Sequence, residues 1–76
     1  SYLPTGLLAE EFRKLAQAAK EGDRSAMILI GRNIHALIAA LVAKILQLAN
    51  ACKDKYLKDR LLRFVDPLRN YSTQLK

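Results

Sequence analysis

The stretch Ala26–Cys52, AMILIGRNIHALIAALVAKILQLANAC, decides the fold. Its strongly polar residues are Arg32, Asn33, His35, Lys44, Gln47 and Asn50. Apolar residues recur at Ile30, Ile34, Leu37, Leu41, Leu48 and Ala51, with Lys44 the exception in that row. Met27, Ile38, Val42, Ile45 and Ala49 form a second row beside it. Steps of three and four residues are helical, and two adjacent rows make the helix apolar over more than half its circumference. Such a helix has to be surrounded by other elements. The pattern predicts one long helix over 24–51.

By length this helix could cross a bilayer, at about 1.5 Å per residue against a hydrocarbon core of ~30 Å. Arg32 and Lys44 would then lie inside the span, each at a cost of about 2.5–3.5 kcal/mol. The amphipathic flanks would also need an apolar partner of their own. A central helix of a bundle is the better reading.

Working outward, a first helix is expected over 6–21, entered after Pro4 and capped at Thr5 or Gly6. Leu8, Phe12, Leu15 and Ala19 make its apolar seam. Gly22 fits the left-handed residue that ends a helix, and Asp23 or Ser25 the cap of the next. So short a turn makes the first two helices antiparallel. A third helix is expected over 54–75, with the seam Leu57, Leu61, Phe64, Leu68, Tyr71 and Leu75. Leu62 and Val65 widen that seam. Pro67 interrupts it, removing a backbone donor and crowding the Arg63 carbonyl, so a kink is expected there. The alternative is two helices parted at Asp66. The seam is still running at Leu75–Lys76. The expectation is therefore an all-α, up-down-up arrangement of antiparallel helices that is part of a four- or five-helix bundle. It would be an incomplete domain, because the central helix has more apolar surface than two single-seam neighbours cover. A fourth helix would come from a parent protein or from a second copy of the chain.

With 76 residues the chain is one domain at most. It is 51% hydrophobic and 26% charged, which suits a folded chain rather than a disordered one. Cys52 is the only cysteine, so no disulfide forms within the chain and a reducing compartment is expected. No signal peptide is visible at SYLPTG.

Catalysis finds no constellation here. His35 is the sole histidine and sits in an apolar run, where it reads as a core or boundary residue. Cys52 lacks a second histidine to activate it. One His and one Cys make no metal-ligand cluster, and no glycine loop cradles a phosphate. No enzyme, metal or cofactor is expected.

Charge is more informative. Thirteen Lys+Arg against seven Asp+Glu give +6, which points to an acidic partner. Seven of these bases, against three acids, lie between Lys53 and Lys76. On one continuous helix Lys55, Arg69 and Lys76 share an azimuth, flanked by Lys58 and Arg63. That strip could meet a filament or anionic lipid. The other reading is a solvated face with pairs such as Lys55–Asp59 and Asp59–Arg63. Nucleic acid is not expected, because no reading motif or stacking platform is visible.

The segment Cys52–Lys76, CKDKYLKDRLLRFVDPLRNYSTQLK, resembles the fourth helix of the vinculin tail and its α-catenin equivalent. The likeness rests on Ser72–Lys76 (STQLK), on Cys52, Asp54 and Lys55, and on the Leu61–Leu62 pair. The preceding helix aligns with the third helix of that bundle without a gap, and the turn Ala18–Asp23 looks like turns of the same superfamily. The resemblance implies a non-enzymatic cytoplasmic adaptor of the cytoskeleton and cell junctions, binding F-actin, another adhesion protein or acidic phospholipid. Bases stand at Arg24, Arg32 and Lys58, where the family's lipid-associated bases stand. Ala36, Ala43 and Leu46 replace others, which argues against lipid binding through the central helix. Arg69 stands where the family has its proline. Arg24, Arg32, Lys55, Lys58, Arg69 and Lys76 are thus the candidate contacts for an acidic filament or lipid. A module that binds partners by exchanging a helix is the alternative.

Overall fold

The computed structural model of the chain describes residues 5–74. They form four helices: α1 (Thr5–Glu21), α2 (Arg24–Ala51), α3 (Lys55–Leu62) and α4 (Val65–Gln74). The expectations for Pro4, Leu75 and Lys76 lie outside the described residues.

Local chemistry sets the boundaries. Gly22 takes φ 70°, the left-handed conformation that turns the chain out of α1. Asp23 caps α2, its carboxylate accepting the Ala26 N–H at 3.1 Å. Asp54 caps α3 in the same way, accepting from the N–H groups of Tyr56 and Leu57.

The helix expected over 54–75 is instead two. The break falls at Arg63–Phe64, ahead of both positions expected for it. A proline ring collides with the carbonyl four residues back, here that of Arg63, if the helix is continuous. Breaking at Arg63–Phe64 removes the collision. It also makes Pro67 the third residue of α4, where the missing N–H has no intrahelical partner to lose. The helix resumes as Leu68 N–H donates to the Phe64 carbonyl at 3.4 Å.

α1 is antiparallel to α2, and α2 is antiparallel to both α3 and α4. Asn33 of α2 donates to the Glu11 carboxylate of α1 at 3.2 Å, across the turn at Gly22–Asp23. Leu48 of α2 shares a depression with Leu61 of α3, and further back His35 meets Ser72 of α4. Position along α2 thus falls as position along α3 and α4 rises. Phe12 of α1 meets Tyr71 of α4 edge to face, ring centroids 5.6 Å apart at 75°.

The core is α2's own stripe: Ile30, Ile34, Ile38, Leu41, Val42, Ile45 and Ala49 are buried, joined by Ala18 and Val65. Leu8, Phe12, Leu15, Leu61 and Leu68 pack onto it. This stripe runs between the two apolar rows read from the sequence. Its margins are therefore open: Leu37 is half-buried, and Leu48 and Met27 are exposed. On α1 the buried alanine is Ala18 rather than Ala19. By length and composition α2 also qualifies as a membrane span, and 28% of the qualifying window is buried within the fold.

Candidate interaction surface

His35 lies half-buried between α2 and α4, its Nδ1 hydrogen-bonded to the Ser72 hydroxyl. On one side it borders a depression of about 600 Å³ with Ile38, Ala39, Val42, Ala43, Leu46, Arg69, Ser72 and Thr73. On the other it borders a second depression with Leu15, Met27, Ile28, Gly31, Arg32 and Gln74. A serine–histidine contact is half of a nucleophilic site, which also needs a group to orient the imidazole and donors for an oxyanion. No carboxylate lines either depression. The contact ties α4 to α2. Among the described residues no group of three or more His, Cys, Asp or Glu is placed to hold a metal. Cys52 is half-buried and reduced, its thiol donating to the Asp54 carbonyl at 3.4 Å.

The candidate bases are spread over α2, α3 and α4. Arg32 and Arg69 flank His35 from α2 and α4. Lys55 and Lys58 share a depression on α3 with Tyr56, Asp59 and Leu62. Arg24 opens α2, at the end opposite Ala51. Lys76 lies outside the described residues. The shared azimuth of Lys55 and Arg69 required an unbroken helix, and the break at Arg63–Phe64 removes that phase relation.

Carboxylate partners are taken by other bases. Arg13 pairs with Glu10 at 2.7 Å, Lys14 with Glu11 at 2.6 Å and Arg63 with Asp59 at 2.9 Å. Hydrogen bonding by Arg13 holds the Glu10 carboxyl below its ordinary pKa, and the same bond raises that of Arg13. Lys14, and more weakly Asn33, lower that of Glu11. Two of the three pairs lie on α1 and one, Arg63–Asp59, on α3, and the excess of bases lies between Lys53 and Lys76.

Large apolar side chains that the seams assigned inward also point outward. Leu57 is 47% exposed and Phe64 59%, with Leu48 at 42% beside them. With Ala51, Cys52, Arg60 and Leu61 they line a depression of about 590 Å³ at the α2–α3 end. An unbroken third helix would carry Leu57, Leu61 and Phe64 on one face; the break turns Phe64 out and Val65 in. The steric demand of Pro67 on Arg63 was the signal in the sequence.

The described residues are thus an all-α, helical-bundle-like region with a basic surface and an apolar, partly open flank. The chain is similar to a protein of Dictyostelium discoideum described as a probable vinculin, with 33% identity over 69 residues. The alignment covers 91% of this chain and 8% of that protein, so the likeness is to a vinculin-like helical region. No family model matches the chain. No solved structure matches it.

Proposed function

We propose that this chain is a non-enzymatic helical module of a vinculin-like cytoskeletal adaptor, acting in the cytoplasm at the cytoskeleton or cell junctions and linking adhesion complexes to F-actin. The observation that carries the reading is the similarity to the probable vinculin, which runs through nearly the whole chain. Two further features support it. The apolar α2 gives the module a scaffold and no reaction chemistry, and the bases of α3 and α4 suit an acidic filament.

The test is cosedimentation of the full gene product with F-actin. Wild-type protein should pellet with filaments, and less so as salt rises. Reversal of Lys55, Lys58 and Arg69 to Glu should reduce pelleting severalfold. Absence of pelleting at low salt, or pelleting indifferent to the triple reversal, refutes the reading.

A second reading, a bundle segment that binds another protein through a helix, is favoured by the exposed Leu48, Leu57 and Phe64. It predicts capture of a partner helix in the absence of actin.

A further inference from the structure

A polar contact joins α4 to α2, between the Ser72 hydroxyl and Nδ1 of His35. Cations stand on both sides of it. Arg69 lies one turn before Ser72 on the same face of α4 and lines the same depression. Arg32 lies one turn before His35 on α2 and lines the depression on the other side. No Asp or Glu lines either depression. A neutral hydroxyl thus occupies a place where an anion would be better held.

The sequence around Ser72 offers a way to put an anion there. Of Ser1, Thr5, Ser25, Ser72 and Thr73, Ser72 alone has an arginine three residues earlier, Arg69. Arginine-directed serine kinases read that spacing, pairing the guanidinium with carboxylates while the hydroxyl reaches the triphosphate. Thr73 is engaged within its own helix, its hydroxyl donating to the Arg69 carbonyl at 3.0 Å. Opening of α4 gives access. It has 10 residues, with Val65 alone buried, and a helix that short is marginal without packing. Arg69 also stands where the vinculin-like resemblance places a proline, so the spacing is this chain's own.

We propose that Ser72 is a phosphorylation site, modified by an arginine-directed serine kinase using a nucleoside triphosphate, and that the phosphate fastens α4 to α2 through His35 and Arg69. The Ser72 Oγ attacks the γ-phosphorus, and the Oγ–P bond forms as the bond to the β-phosphate oxygen breaks. The nucleoside diphosphate leaves with that electron pair, and the hydroxyl proton passes to the kinase's base. The phosphate replaces the hydroxyl at His35 and enters the depression of about 600 Å³. Its charge near the C-terminal end of α4 opposes the helix dipole. That cost is smaller than one charge-assisted bond, and His35 and Arg69 supply two. The inference does not rest on the filament reading.

The test treats the whole chain with an arginine-directed serine kinase and magnesium ATP, and maps the product by mass spectrometry. Phosphate should appear on Ser72. Arg69→Ala should slow its incorporation about tenfold, and Ser72→Ala should abolish it. In the phosphorylated chain, amide hydrogen exchange across Val65–Gln74 should slow about tenfold. His35→Gln should still accept the phosphate and lose most of that slowing. By phosphorus NMR the phosphate should keep its second charge to lower pH in the folded chain than in the same chain in urea. No incorporation, incorporation at Thr73 or Ser25 instead, or incorporation indifferent to Arg69→Ala overturns the site. Phosphorylation that leaves α4 exchange unchanged, or speeds it, overturns the fastening of α4 to α2.

Discussion

Truncating Ile34 and Phe64 separately to alanine tests the assignment of core and open surface together. Ile34 lies in the middle of α2 and is 0% exposed. Removing its branched side chain loses the transfer energy and leaves a cavity, for about 2–5 kcal/mol. A chain of 76 residues is ordinarily stable by about 4–11 kcal/mol, so Ile34→Ala consumes a large share of that or prevents folding. Phe64 is the larger residue, but it is 59% exposed in the turn between α3 and α4. Only its covered fraction is lost on truncation, about 1 kcal/mol, and no closed cavity forms. Urea unfolding followed by circular dichroism reads both. With a slope of about 1 kcal/mol per molar, Ile34→Ala should lower the midpoint by roughly 2–5 M or abolish the transition. Phe64→Ala should lower it by about 1 M. A Phe64→Ala loss equal to that of Ile34→Ala refutes the reasoning, because Phe64 would then be core and the α2–α3 depression would be filled.

Other expectations follow from the caps, the turn and the α1 carboxylates. Gly22→Ala meets no atom within 4 Å but holds φ 70°, so the loss is backbone strain alone, about 1 kcal/mol, visible in the thermal midpoint. Asp23→Ala and Asp54→Ala should each cost about 1 kcal/mol through lost capping. Asparagine at the same positions should restore most of it. The carboxyls of Glu10 and Glu11 titrate below their ordinary value of 4.5 when folded. Their contribution is therefore present above pH 4.5 and is lost as pH falls through the lower folded values. Urea midpoints measured from neutral pH down into that range should decline. The decline should flatten in Glu10→Gln with Glu11→Gln, and an unchanged pH profile in that pair refutes the linkage.

Much of the fold was legible in the residues. The two rows of α2, with Gly22 and Asp23 at its entry, define a long helix and an antiparallel neighbour by local chemistry alone. Periodicity also announced that α2 must be packed against. It could not place the buried stripe, which lies between the two rows because α1 and α3–α4 approach from different sides. Nor could it place the third helix's break, which depends on where the collision between Pro67 and the Arg63 carbonyl is relieved. That one steric choice turns Val65 inward and Phe64 outward, and it undoes the alignment of Lys55 with Arg69. His35 was readable as a boundary residue, whereas its partner Ser72, 37 residues away, required the tertiary fold.

The sequence by itself determined an all-α chain with a basic balance and a central helix too apolar to stand alone, because helical period and composition are local properties. The tertiary structure decided which part of that helix stays uncovered. Among the described residues α1 runs beside the first half of α2 and α3 packs on the second, burying Leu41, Ile45 and Ala49 while Leu48 stays exposed beside Leu57 and Phe64.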